Sequence, residues 1–116
     1  MTSLPPHPLP APLVELIAQR FRVLGEPMRI RLLDALREGP LTVGELQEAT
    51  GGSQQNVSKH LGVLRDGGLV RRAKEGTFVR YEIADETVFA ICEQVCGGLH
   101  DQVAQLGAVL DGGVGA

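Results

Sequence analysis

Hydrophobic residues recur at helical spacing in two stretches near the start of the chain. The first runs from Leu13 to Leu24, and the following glycine, Gly25, terminates it. The second begins at Pro27, a favourable first helical residue, and stops before Gly39. Their apolar members are Leu13, Leu16, Ile17, Phe21 and Leu24, then Met28, Ile30, Leu32, Leu33, Ala35 and Leu36. The pattern predicts two amphipathic helices.

Two shorter helices follow, separated by a pair of glycines. Thr42 and Glu45 fit a capping box, in which each side chain satisfies a free backbone donor, so a third helix is predicted from about residue 43 to 50. After the glycines at 51 and 52, Ser53 suits the N-cap of a fourth helix that reaches Asp66. Two helices about a tight glycine turn are the layout of a helix-turn-helix.

The periodicity changes after the glycines at 67 and 68. LVRRAKE (69–75) and FVRYEIA (78–84) are β-rich runs about a Gly76-Thr77 turn and predict a hairpin, the wing. Asp85 then caps a long last helix with an apolar seam formed by Val88, Cys92, Val95, Leu99, Val103, Leu106 and Leu110. Such a seam on a terminal helix needs a partner, which a second copy can supply. The predicted fold class is mainly α with a small β-hairpin, a winged helix-turn-helix.

The chain length of 116 residues predicts one domain. Residues 1–12 hold five of the seven prolines and are predicted to form an extended, disordered arm. The winged helix-turn-helix is predicted over residues 13–110, and the glycine-rich residues 111–116 are expected to be a flexible tail.

The distribution of charge along the chain favours a nucleic-acid partner, although the net charge of the whole chain does not. The formal net charge is −3, yet residues 59–80 carry six basic side chains against two acidic ones, a local charge of +4. A basic stripe of this kind is the electrostatic mark of phosphate binding. With 3% aromatic residues, no Trp and a single Tyr, the composition argues against single-strand and RNA readers, which stack bases on aromatic side chains.

The fourth helix is predicted to read the major groove. Val57, Leu61 and Leu64 share one face and should pack inward, so the opposite face is free to meet base edges. The predicted DNA-binding residues of this helix are Ser53, Gln54, Gln55, Asn56, Ser58, Lys59 and Arg65, and those of the wing are Arg71, Arg72, Lys74, Thr77 and Arg80. The alternative is a solvated polar face beside an ordinary charged edge. His60 lies toward the inward face and is predicted to be packed and hydrogen-bonded.

Three stretches resemble the ArsR/SmtB family of bacterial metal- and stress-responsive repressors. They are LGEPMRIRLLDAL (24–36), SQQNVSKHLGVLRDGGLV (53–70) and EGTFVRYEI (75–83), and the resemblance covers about residues 16–110. The family implies a dimer held by the first and last helices and repression relieved by a ligand. Its members usually carry Arg or Lys after the wing glycine, where this chain has Thr77.

The family's known inducer sites are missing from this sequence. VGELQEA (43–49) has no thiol for the site on the third helix, and the zinc positions of the last helix are Asp85, Thr87, Gly98 and Asp101, without a histidine. Cys92 and Cys96, one turn apart on that helix, can jointly bind a soft metal ion or arsenite, or respond to an oxidant or sulfide. His100 is a candidate third ligand. The other reading is that both cysteines only pack, as small apolar residues.

The function predicted from these features is a dimeric repressor that binds a double-stranded DNA operator. The chain shows no apolar run long enough for a membrane and no signal peptide, so a cytoplasmic protein with free thiols is expected. No nucleophile-base pair, phosphate loop or two-carboxylate site indicates an enzyme. The alternatives are a regulator without a ligand and a winged helix used only for protein interaction.

Overall fold

Helices supply most of the secondary structure. The computed structural model describes residues 5–114, and side chains over 5–107. The helices are α1 (Ala11–Leu24), α2 (Pro27–Ala35, followed by a 3-10 turn, Leu36–Glu38), α3 (Val43–Thr50), α4 (Gln54–Asp66) and α5 (Thr87–Val114), and the strands are β1 (Leu41–Thr42), β2 (Val70–Glu75) and β3 (Phe78–Ile83). The chain divides into two compact units, residues 1–84 and 85–116.

The helix boundaries follow local chemistry. The capping box is present at α3, with Glu45 N donating to Thr42 Oγ1 (3.2 Å) and Thr42 N donating to Glu45 Oε1 (2.9 Å). Ser53 caps α4 by accepting a hydrogen bond from Asn56 N at 3.1 Å. Both predicted caps are therefore confirmed. The first helix begins two residues earlier than predicted, at Ala11, because a proline is tolerated in the first helical turn.

The core of the first unit lies where α2, α3 and α4 pack against one another and against the base of the hairpin. The fully buried side chains there are Leu32, Leu33, Leu36, Leu46, Val57, Leu61, Leu64, Leu69 and Val70. Burial of a Leu or Val side chain contributes about 1.5–3 kcal/mol, so this cluster holds the two helices of the helix-turn-helix in place.

The hairpin belongs to a three-stranded antiparallel sheet of order β1-β3-β2. Leu41 pairs with Tyr81 and Thr42 with Arg80, so β1 joins the wing to the start of α3. Strand β1 could not be predicted from the sequence, since a two-residue strand shows no alternation of apolar and polar residues.

The two ends of the chain were predicted to be an arm and a tail. Residues 1–4 and 115–116 lie outside the described part of the chain. Residues 5–10 are exposed and form neither helix nor strand, whereas α5 continues through residues 111–114. Within the described residues no helix combines the length and the apolar character that a membrane crossing requires.

Apolar side chains remain uncovered on both long helices. On α1, Leu16 is 67% exposed and Phe21 is 56% exposed. On α5, the exposed residues are Val95, Leu99, Val103 and Leu106, four members of the predicted seam, and the side chain of Leu110 lies outside the described range. Surfaces of this kind are typical of protein contact sites.

Candidate nucleic-acid interface

The turn between α3 and α4 is tight because of its glycines. Gly51 has a φ of +76°, a left-handed conformation that side chains rarely adopt. At Gly52 a Cβ atom would lie 2.9 Å from both Met28 Cε and Val57 Cγ2. The second glycine therefore allows the turn to pack directly on α2 and α4, which sets the angle at which α4 leaves the core.

The outer face of α4 is polar and free of the core. Gln54, Gln55, Ser58 and Lys59 are exposed and Asn56 is partly buried, while Val57, Leu61 and Leu64 are fully buried on the opposite side. The space around Gly62 is open, so a ligand can approach the backbone there. Arg65 is exposed at the end of the helix. The structure thus brings the predicted base-reading residues onto one accessible surface.

Ser53 has a structural role in addition to its predicted one. Its hydroxyl oxygen accepts from Asn56 N, and its carbonyl accepts from Val57 N at 2.9 Å. The remaining first-turn N–H groups of α4 point out of the helix start, a favourable place for a phosphate oxygen.

The strand register divides the basic residues of the wing between two faces. Arg71 pairs with Glu82 and Ala73 with Arg80, which places the side chains of Arg71 and Arg80 on the same face. Arg71 Nε lies 3.0 Å from Glu82 Oε1, and Arg80 Nη1 lies 2.7 Å from Glu75 Oε2. Both guanidinium groups on this face are therefore already paired with carboxylates.

Arg72 and Lys74 project from the opposite face of the wing. Their cross-strand neighbours are Tyr81 and Val79, neither of which is a carboxylate. Both basic side chains are exposed, and within residues 5–107 neither forms an ion pair or side-chain hydrogen bond. This face presents two uncompensated positive charges to solvent.

Arg80 also connects the wing to α3. Hydrogen bonds from the backbone and hydroxyl of Thr42, together with the positive charge of Arg80, hold the pKa of Glu45 below its ordinary value of 4.5. Arg80 Nε is buried and has no hydrogen-bond partner among the described residues. The ion pair with Glu75 and the burial of Nε hold this side chain against the protein.

The wing tip is a two-residue turn with an apolar neighbour. Gly76 has a φ of +59°, and Thr77 is exposed beside Phe78, which is 62% exposed. The tip thus offers a hydroxyl and an aromatic ring and no cation.

His60 is buried, as predicted, and belongs to a polar cluster that the sequence analysis did not find. It is 6% exposed, its Nδ1 lies 3.1 Å from Arg29 Nη1, and its Nε2 lies 3.6 Å from Glu26 Oε2. Burial works to raise the pKa of Glu26, but the hydrogen bonds from the backbone N–H groups of Arg29 and Met28, together with the positive charge around the carboxylate, outweigh it and lower the pKa. Arg29 and His60 are 31 positions apart, so no local pattern could have linked them.

The two cysteines are free thiols on α5. Cys92 is partly buried and Cys96 is exposed. Among the described residues no group of three or more His, Cys, Asp or Glu side chains is placed to hold a metal ion. His100 is exposed and lies 3.9 Å from Asp101 Oδ1. Any ion held by these thiols would need a further ligand from elsewhere.

Comparisons with known proteins point to transcriptional regulators. A helix-turn-helix domain model matches residues 24–73. The chain is 37% identical over 107 residues to the uncharacterised HTH-type transcriptional regulator Rv0081 of Mycobacterium tuberculosis, covering 88% of this chain and 94% of the relative. It is also 37% identical over 83 residues to the HTH-type transcriptional regulator KmtR of the same organism, covering 72% of this chain and 64% of KmtR.

Solved structures agree with the sequence comparisons. The crystal structure of M. tuberculosis Rv0081 matches with a TM-score of 0.71 and 36% identity, covering 81% of this chain and 99% of that chain. The homodimeric winged helix-turn-helix DNA-binding domain of Mb0332 from Mycobacterium bovis, a possible ArsR-family regulator, matches with a TM-score of 0.70 and 32% identity, covering 79% of this chain and 88% of that chain. The fold is a winged helix-turn-helix.

Proposed function

Because the chain belongs to the ArsR/SmtB family of winged helix-turn-helix transcriptional regulators, we propose that it is a homodimeric repressor of the cytoplasm that binds a specific double-stranded operator. The observation that carries the proposal is the polar outer face of α4, with Gln55 and Lys59 exposed beside the unpaired Arg72 and Lys74 of the wing. The family is one of DNA-binding regulators and not of enzymes.

The proposed dimer uses the uncovered apolar residues of α1 and α5. Leu16 and Phe21 on α1 and Val95 and Leu99 on α5 are each half or more exposed, and burying them against a second copy would remove them from water. The homodimeric state of the Mb0332 domain supports this assembly. Two copies would place their α4 helices, the proposed recognition helices, in successive major grooves about 34 Å apart on a near-palindromic site.

The proposal divides the interface into a part that selects the sequence and a part that holds the backbone. The amide side chains of Gln54, Gln55 and Asn56 can pair with adenine, Lys59 can donate to guanine, and Ser58 can serve either edge. Arg72 and Lys74 of the wing, together with the start of α4, contact phosphates, which carry no sequence information directly.

Gel shifts with operator and random duplexes test this division. We expect Gln55→Ala and Lys59→Ala to weaken operator binding by roughly tenfold each and to change random-duplex binding much less, because a base contact is worth about 1–3 kcal/mol. Arg72→Ala should weaken binding to the operator and to the random duplex by a similar factor. Equal losses on both duplexes for all three variants would rule out this assignment. No duplex binding by the wild type even at low salt would favour a protein-interaction module instead.

We further propose that Cys92 and Cys96 form the site where an inducer releases the repressor. Both thiols are free, they are one helical turn apart, and Cys96 is accessible. Thiolates favour soft ions and arsenite, which the pair could hold with a third ligand from the second subunit. An oxidant would convert the same sulfur atoms to a sulfenic acid or a disulfide, and sulfide would attack only such an oxidised sulfur, giving a persulfide with loss of water or of the second thiolate.

Single substitutions separate sensing from packing. Cys92→Ser should abolish release of operator DNA by arsenite, cadmium or oxidant while leaving the DNA affinity of the untreated protein unchanged. Cys96→Ser provides the same test at the exposed member of the pair. Release at wild-type inducer concentrations in both variants would mean that the cysteines only pack.

A further inference from the structure

Arg29 uses all of its side-chain nitrogens to join the end of α1 to the recognition helix. Arg29 Nε donates to Val23 O at 2.6 Å, Nη2 donates to Arg22 O at 3.1 Å, and Nη1 lies 3.1 Å from His60 Nδ1. Its own backbone N–H donates to Glu26 Oε2 at 3.0 Å. One side chain therefore contacts α1 and α4 from its position on α2.

The contacts with α1 are chemically favourable. The carbonyls of Arg22 and Val23 lie in the last turn of α1, where carbonyl oxygens lack intrahelical donors. A cation there also meets the negative end of the helix dipole. Arg29 thus caps the C-terminal end of α1.

The contact with α4 determines which nitrogen of His60 carries the proton. A guanidinium has donors only, so His60 Nδ1 must accept, and the ring proton of the neutral form is assigned to Nε2. Nε2 faces Glu26 Oε2 at 3.6 Å. Glu26 Oε2 also accepts from the backbone N–H of Arg29 as the N-cap of α2, so the same carboxylate holds the start of α2 beside His60.

His60 is well placed to control the orientation of α4. It follows Lys59 directly, yet it is only 6% exposed and points into the protein. Holding the ring against Arg29 resists rotation of α4 about its axis, and such a rotation would move Gln55 and Lys59 relative to a DNA groove.

We propose that Arg29 is a positioning residue that couples the C-terminal end of α1 to the recognition helix, α4, through the Nδ1 atom of His60. The inference rests on the proposed DNA-binding function, because α1 carries part of the proposed dimer surface and α4 carries the proposed reading face. A change at the dimer helix would then reach the DNA-reading face by this route.

Two substitutions at His60 separate positioning from packing. His60→Asn retains an acceptor, since Asn Oδ1 can take the place of Nδ1, whereas His60→Leu fills similar space without one. We expect the ratio of operator to random-duplex affinity to fall about tenfold in His60→Leu and to stay within about threefold of wild type in His60→Asn. The affinities of both variants are compared at a temperature at which circular dichroism shows that each variant is folded and mass measurement shows that each is a dimer.

Arg29→Met tests the other side of the contact. It should lower the same ratio about tenfold, and combining it with His60→Leu should cause little further loss, because both changes remove one interaction. Arg31→Met is the matched control: it removes the same charge from an exposed position of α2 and should leave the ratio unchanged. The proposal would be overturned if the losses of Arg29→Met and His60→Leu added in the double variant. It would also be overturned if His60→Asn and His60→Leu had equal ratios of operator to random-duplex affinity.

Amide hydrogen exchange in the free protein keeps this test independent of DNA. His60→Leu and Arg29→Met should speed exchange in both the last turn of α1 and in α4, while His60→Asn and Arg31→Met should not. Wild-type protein that binds no duplex would refute the proposed function, whereas unchanged exchange in His60→Leu would refute the coupling.

Discussion

The two faces of the wing make a quantitative prediction about salt. Arg72 and Lys74 are exposed and unpaired among the described residues, whereas Arg71 is paired with Glu82 at 3.0 Å. Only an uncompensated cation releases a full counterion when it meets a phosphate. The double variant Arg72→Ala/Lys74→Ala should therefore lose phosphate contacts, and removing Arg71 together with Glu82 should not.

The expected size follows from counting contacts in the proposed dimer. Each phosphate contact contributes about 0.9 to the slope of log affinity against log salt, so four lost cations should flatten the slope by about 3.6. Raising the salt concentration from about 50 to 200 mM should therefore weaken DNA binding about a hundredfold less in the variant than in the wild type. Arg71→Ala/Glu82→Gln should leave the slope within about 0.9 of wild type.

Fluorescence anisotropy with a random duplex at several salt concentrations measures the slopes directly. All four positions are solvent-accessible, so the variants should melt within a few degrees of wild type, and thermal melting provides the check. Equal flattening in the two double variants would refute the reasoning, because it would mean that Arg71 leaves Glu82 to bind a phosphate.

Two further predictions concern the helix-turn-helix itself. Gly52→Ala should destabilise the fold by about 1–3 kcal/mol, because the new methyl group would lie 2.9 Å from Met28 Cε and Val57 Cγ2. Chemical denaturation measures this change. A variant as stable as wild type would show that the turn has room for a side chain. Glu45→Gln should cost stability at neutral pH and progressively less as the pH falls. The folded-state pKa of Glu45 lies below 4.5, so the carboxylate stabilises the fold above that pH and loses this effect as acid titrates it through the lower value. Denaturant titrations of both proteins at several pH values measure this difference, and a constant difference down to strongly acidic pH would contradict the lowered pKa of Glu45.

The helices and hairpin could be predicted because their signals are local. Capping residues, glycine turns and apolar spacing lie within a few positions of one another, and α3 begins and ends at the predicted residues, 43 and 50. The inward residues of α4 follow from its period alone, and Val57, Leu61 and Leu64 are fully buried. Strand β1 was missed because two residues are too few to show a period.

The sequence by itself determined the order of the five helices and the hairpin, the exposed polar face of α4 and the concentration of positive charge in residues 59–80. Only the tertiary structure decided which of those charges are free. The register of β2 on β3 pairs Arg71 with Glu82, brings Arg80 to Glu75 and leaves Arg72 and Lys74 on the other face. Ion pairs and buried clusters join residues that are distant in the chain, and their geometry exists only after the strands and helices have packed.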